Sequence, residues 1–190
     1  MATGQIPKPG DHIYTKCYGG LYDHHGIYVG KAKVKNPRTG KTEQIENAVI
    51  HILGLDKNGK AKTYRPQCPK CFHESHELGV VLTCLDCFHE GNTIYRYEYE
   101  VSILSFTFKS SGSCSTFTSY EPDVVIKRAY SFLHKKNFGE YSLLFNNCEH
   151  FATKCKTGTA LCNQILCGTG VPGAIAYNVA RGFTKGLFWS

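Results

Sequence analysis

Three things are missing from this chain, and each removes a class of function. No run of about 18 apolar residues occurs, which argues against a membrane-spanning helix. The opening Met-Ala-Thr-Gly-Gln-Ile-Pro-Lys holds no apolar signal segment, so the ten cysteines are expected as reduced thiols in an intracellular, cytoplasmic protein rather than as disulfides. The formal net charge is +7, yet no stretch interleaves basic and aromatic residues along one face. The positive residues scatter over 31–41, 57–70 and 135–136, so nucleic acid is not an expected partner. Peripheral attraction to an anionic membrane surface suits the charge equally well, and the sequence names no protein partner.

What is present fits one domain of ordinary size: 190 residues, 42% hydrophobic, enough to build a self-sufficient core. Ile13, Thr15 and Cys17 alternate with His12, Tyr14 and Lys16 across Asp11–Tyr18, which reads as a strand broken by Gly19-Gly20. His25–Gly30 resumes as a second strand. Lys31–Asn47 is polar, contains Asn36-Pro37 and Thr39-Gly40, and reads as an exposed hairpin or loop. Ala48–Leu53 returns as a buried strand carrying His51. Thr93–Ser105 alternates Tyr95, Tyr97, Tyr99 and Val101 with Arg96, Glu98 and Glu100, the pattern of a half-solvated antiparallel strand. Ser110–Ser113 reads as a flexible link and Cys114 beside it as inert. Pro122 opens a helix to about Lys136, with Val125, Ala129, Phe132 and Leu133 on one face. The expected class is α+β, an antiparallel sheet packed on helices.

The most informative stretch is Leu143–Ala152. Asn146 or Asn147 is a good cap, and Phe151, Ala152 and Cys155 recur at helical spacing, so Cys148 falls in the first turn of a helix ending near Thr157-Gly158. Backbone N–H groups at that end favour a thiolate, the nucleophilic form of cysteine. A thiol there is also what a small buried hydrophobe looks like. An enzyme of this kind needs an imidazole to take the thiol proton and a further polar group to orient that ring. His24, His25 and His51 all lie in strand-like runs. Neighbours on a strand point to opposite faces, so His24 and His25 cannot both serve, and His51 has the alternative reading of a satisfied core histidine.

A second signal lies in 55–92. Cys68-Pro-Lys-Cys71 and Cys84-Leu-Asp-Cys87 are two C-x-x-C turns separated by twelve residues, the arrangement of a four-cysteine zinc site. Four thiolates leave no open coordination position, so zinc here is expected to be structural, with no cofactor for catalysis. The segment is too short and polar to hold its own core, and metal binding is expected to fold it. Two unconnected thiol turns or a redox pair are the alternatives.

Gly10-Asp11-His12-Ile13-Tyr14, His24-His25-Gly26-Ile27-Tyr28-Val29-Gly30, Val49-Ile50-His51 and Asn147-Cys148-Glu149-His150-Phe151 resemble, in order, the lecithin:retinol acyltransferase family. That family includes small phospholipase A/acyltransferases and looks like a permuted relative of NlpC-type and papain-like cysteine peptidases. The resemblance spans 9–158, interrupted by two insertions, at 31–47 and at 55–92, the second of which looks like the plant LEAD-SENSITIVE-type branch. It implies Cys148 as nucleophile, His24 as base, and His51 as the residue orienting His24. It further implies a thiol-dependent acyltransferase or phospholipase acting on glycerophospholipid or other fatty-acyl esters through a cysteine acyl thioester. A cysteine peptidase is the enzyme alternative, and a non-catalytic scaffold binding a membrane or protein is the alternative of a different class. Residues 159–190 lie beyond the resemblance. Within them 174–189 reads as a short amphipathic segment, facing either core or membrane.

Overall fold

A computed structural model describes residues 6–17, 19, 22–54, 66–74, 77–110, 112–136, 138 and 147–159. The segment 160–190, including the amphipathic reading of 174–189, lies outside the described residues. The elements are β1 (His12–Cys17), β2 (Tyr22–Lys35), β3 (Thr42–Leu53), β4 (Gly79–Cys84), α1 (Leu85–His89), β5 (Ile94–Arg96), α2 (Ile103–Phe108), α3 (Pro122–Lys135) and α4 (Cys148–Thr157). The strands form one sheet in the order β4-β3-β2-β1-β5, each neighbour antiparallel. The α+β expectation holds. Among the described residues no helix is long and apolar enough to cross a membrane.

Strand alternation sorts the chemistry onto two faces. Thr15 pairs with His24, Ile13 with Gly26, and Gly26 with His51, so these side chains share a face with Val49 and Phe88. The other face carries Ile27, Val29, Ala48, Ile50 and Ile52, and α3 and α4 pack on it through Val125, Ala129, Phe151, Ala152 and Cys155. Phe151 is fully buried, its ring 5.4 Å from Phe138 and 6.0 Å from Phe132. Burying a side chain of that size is worth about 2–3 kcal/mol.

The polar segment after Gly30 takes the hairpin form of its two expected readings: β2 runs on to Lys35 and β3 begins at Thr42, with the turn at 36–41. Asn36 closes that turn by accepting the Arg38 amide on its side chain. The long strand expected over Thr93–Ser105 is a correction. It pairs with β1 only over Ile94–Arg96, and Tyr97 N–H still reaches His12 O at 2.8 Å, where β1 runs out. Left-handed Glu100 then turns the chain, and Ser102 caps α2 by accepting Ser105 N–H. The tyrosine alternation was real; a partner strand of matching length was absent. Cys114 is also not in a loose link, since it is buried and its carbonyl accepts from Tyr97 Oη at 2.8 Å.

Within 55–92, residues 55–65 and 75–76 lie outside the described residues. The remainder is built into the domain, because Gly79–Cys84 is the edge strand β4 paired along β3 from Ala48 to Leu53.

Candidate active site

α4 begins as its sequence dictates. Asn147 caps it, accepting His150 N–H at 3.0 Å, and His150 completes a capping box on the Asn147 backbone. Gly158, at φ +79°, ends the helix in the left-handed cap that glycine takes without strain. Cys148 thus occupies the first helical position, with its sulfur 3.5 Å from Asp23 O at the start of β2.

The thiol departs from the expectation of a helix-activated thiolate. It has no exposed surface, and burial pushes it from its ordinary value near 9.0 up to about 12. A hydrogen bond from Tyr22 and the backbone amides of His25 and Cys148 pull the other way, and buried Glu149 adds to the rise. Desolvation therefore outweighs the helix dipole at rest. The sulfur needs a base to become a nucleophile.

His24 supplies one. Its Nε2 lies 2.8 Å from His51 Nδ1, and His51 Nε2 lies 3.0 Å from Thr83 Oγ1. The Thr83 hydroxyl can donate its hydrogen to Cys84 O at 3.2 Å while accepting from His51. In that arrangement His51 carries hydrogen on Nε2, and His24 donates its Nε2 hydrogen to His51 and presents Nδ1 as an acceptor. His24 sits on the Phe88 face and Cys148 in the core on the opposite face, and Tyr22 at the start of β2 touches both. There the Tyr22 hydroxyl lies 2.8 Å from Sγ and 3.5 Å from His24 Nδ1. Every hydrogen bond in the series Cys148, Tyr22, His24, His51, Thr83, Cys84 O can point the same way, from thiol toward carbonyl.

His25 is turned away, into a separate buried network. Its Nδ1 lies 2.9 Å from His12 Nε2, and His12 Nδ1 lies 2.8 Å from Tyr99 Oη. Burial holds both rings well below their ordinary value of 6.5, with mutual and neighbouring positive charge adding to the effect, so they stay neutral at pH 7.

The four expected metal ligands also converge. Cys68, Cys71, Cys84 and Cys87 place their sulfurs within 4.8 Å of one another. Tetrahedral zinc–thiolate bonds of about 2.3 Å imply sulfur–sulfur edges of roughly 3.8 Å. The pairs Cys68–Cys84 and Cys71–Cys87 stand at 3.8 and 3.7 Å. The donor set therefore fits a closed four-sulfur metal site. His73 and His89 are engaged elsewhere, with Glu77 and the Asn92 carbonyl, and His76 lies outside the described residues.

The family model for lecithin retinol acyltransferase matches residues 5–161. The chain belongs to the lecithin retinol acyltransferase family. Protein LEAD-SENSITIVE 1 of Arabidopsis thaliana is similar to it at 36% identity over 150 residues, covering 79% of this chain and 57% of that protein. The chain thus spans somewhat over half the length of the curated relative it matches.

Sequence reasoning missed Tyr22, Thr83 and Phe88. Tyr22 stands two positions before His24 on one strand, so period-two alternation could have paired them. Thr83 and Phe88 each adjoin a C-x-x-C cysteine, and their role shows only once β4 lies beside β3.

Proposed function

We propose that this protein is a cysteine-dependent acyltransferase or lipid hydrolase acting on glycerophospholipid or other fatty-acyl esters. The observation that carries the reading is the series of contacts linking Cys148 through Tyr22 to His24, His51 and Thr83, whose hydrogen bonds can all run from the thiol toward Cys84 O. In the first half-reaction the thiol proton passes through the Tyr22 hydroxyl to His24 Nδ1 as Sγ attacks the ester carbonyl carbon. The oxyanion forms beside the Cys148 backbone N–H, the donor that the helix start offers. Collapse breaks the bond to the glyceryl oxygen, which takes the proton from His24 and leaves as an alcohol. The acyl group remains on sulfur as a thioester. Water, an amine or an alcohol then attacks that carbonyl, His24 takes the attacker's proton, and sulfur leaves to regenerate the thiol. One site thereby gives hydrolysis or transfer, according to the acceptor.

The four cysteines would hold zinc as a structural ion, and no step of this chemistry runs through it. A peripheral encounter with anionic lipid suits both the net charge of +7 and the exposed Ile103, Leu104 and Phe108 of α2.

One observation favours a second reading, a non-catalytic module that keeps the fold: the Cys148 sulfur is fully buried. An electrophilic acyl probe separates the two. Labelling of Cys148 that is lost in Cys148→Ala and in His24→Gln supports the enzyme, while an unlabelled Cys148 in folded protein supports the module. Labelling lost in His25→Gln and kept in His24→Gln would reassign the base.

A further inference from the structure

We propose that the four-cysteine metal site is the mount of the histidine pair, so that its metal sets the reactivity of Cys148 through two positioning residues, Thr83 and Phe88. The inference rests on reading His24 as the base for Cys148. Thr83 immediately precedes Cys84, is fully buried, and accepts the hydrogen that orients His51. Its own proton goes to the carbonyl of Cys84. Phe88 immediately follows Cys87 and is also buried, its ring 5.1 Å from that of His24 and edge-on to His51 at 5.3 Å. A Cβ on Gly26 would lie 2.9 Å from Phe88 Cε2, so the ring is seated directly on the β2 backbone and against both imidazoles. The neighbours of two of the four cysteines therefore back the histidine pair.

What holds α1, and with it Phe88, decides how strongly the two sites are coupled. α1 has five residues, too few for a helix to stand by itself. Its cap residue Cys84 makes no side-chain capping bond. The Lys70–Asp86 ion pair beside it is exposed on both sides and contributes little. Cys84 at the cap and Cys87 inside the helix are both metal ligands by their sulfur geometry. A tetrahedral ion tying them to Cys68 and Cys71 would restrain α1 at two points, beside the packing of Phe88 against Ile13 and Val49.

The test uses the full chain with its metal, the same chain depleted by chelator, and the variants Thr83→Val, Thr83→Ser and Phe88→Ala. Metal content is measured directly, alkylation of Cys148 by iodoacetamide is followed by peptide mass against pH, and the imidazole tautomers of His24 and His51 are read by nitrogen NMR. Depletion is expected to slow Cys148 alkylation roughly 10- to 100-fold, as loss of an orienting partner commonly does. It should also convert the fixed tautomers of both rings into an exchanging mixture. Thr83→Val and Phe88→Ala should do the same with metal retained, Thr83→Ser should restore the wild-type behaviour, and Thr83→Val should add nothing to depletion. Wild-type rates and tautomers in the depleted protein, or in metal-loaded Thr83→Val and Phe88→Ala, overturn the proposal. If depletion unfolds the chain, those two metal-loaded variants decide. His24→Gln alkylating at the wild-type rate would instead overturn the base reading. The tautomer measurement then still decides whether the metal governs the pair.

Discussion

Replacing Tyr22 with phenylalanine removes one hydroxyl and leaves the ring, and the structure says what that hydroxyl does. Burial moves the Cys148 thiol from about 9 to about 12, three powers of ten, which at about 1.4 kcal/mol each amounts to roughly 4 kcal/mol against the thiolate. That penalty is met only if the departing proton has a defined destination. Tyr22 Oη touches both ends of the route, 2.8 Å from Sγ and 3.5 Å from His24 Nδ1. Tyr22→Phe should therefore slow Cys148 alkylation or acylation at pH 7 by about 100-fold, the lower end of what a positioned proton-transfer group contributes. Global stability should fall by no more than about 1.5 kcal/mol, the worth of one hydrogen bond. The assay is timed alkylation with quantitation of the Cys148 peptide, alongside urea unfolding. A wild-type rate in Tyr22→Phe protein of near-wild-type stability refutes the relay.

Further outcomes follow from burial and charge. His12 and His25 are held well below 6.5 in the fold, and desolvation also lowers His150 to about 4, so below pH 6.5 the unfolded chain binds protons that the folded chain refuses. Stability should hold above pH 6.5 and fall as pH drops beneath it, by about 1.4 kcal/mol per pH unit for each ring. Urea midpoints unchanged from pH 7 to pH 5.5 would contradict this. Phe151→Ala empties the centre of the α3–α4 core and should destabilise by about 3–5 kcal/mol, read as a lower urea midpoint at unchanged slope. Phe108 is 83% exposed on α2, and Phe108→Asp should weaken flotation with anionic vesicles while leaving flotation with neutral ones as it was. Equal binding by both proteins would remove α2 from the lipid contact.

Much of this was legible from short-range pattern. Asn147 opening a helix, the glycine stop at 158, and the strands bearing His24 and His51 follow from capping and alternation, which act within a few residues. The two C-x-x-C turns were legible for the same reason, since a metal site writes its spacing into the chain. What was not legible depends on contacts between distant segments. The extent of β5 is set by where β1 ends, and the burial of Cys148 by how α4 seats on the sheet. The resemblance singled out His24 over His25, but that the two rings enter separate networks, one against His51 and the other against His12, shows only in the fold. Thr83 could not be recognised until β4 was paired with β3.

The most direct test is to weigh Cys148 after exposure to an acyl ester. Wild-type protein is mixed briefly with phosphatidylcholine vesicles, quenched in acid to preserve thioesters, digested, and the Cys148 peptide examined by mass spectrometry. The account predicts a fatty-acyl increment on Cys148 that hydroxylamine releases and that is absent in His24→Gln. A Cys148 peptide of unmodified mass in wild type, or the same increment in His24→Gln, would contradict it.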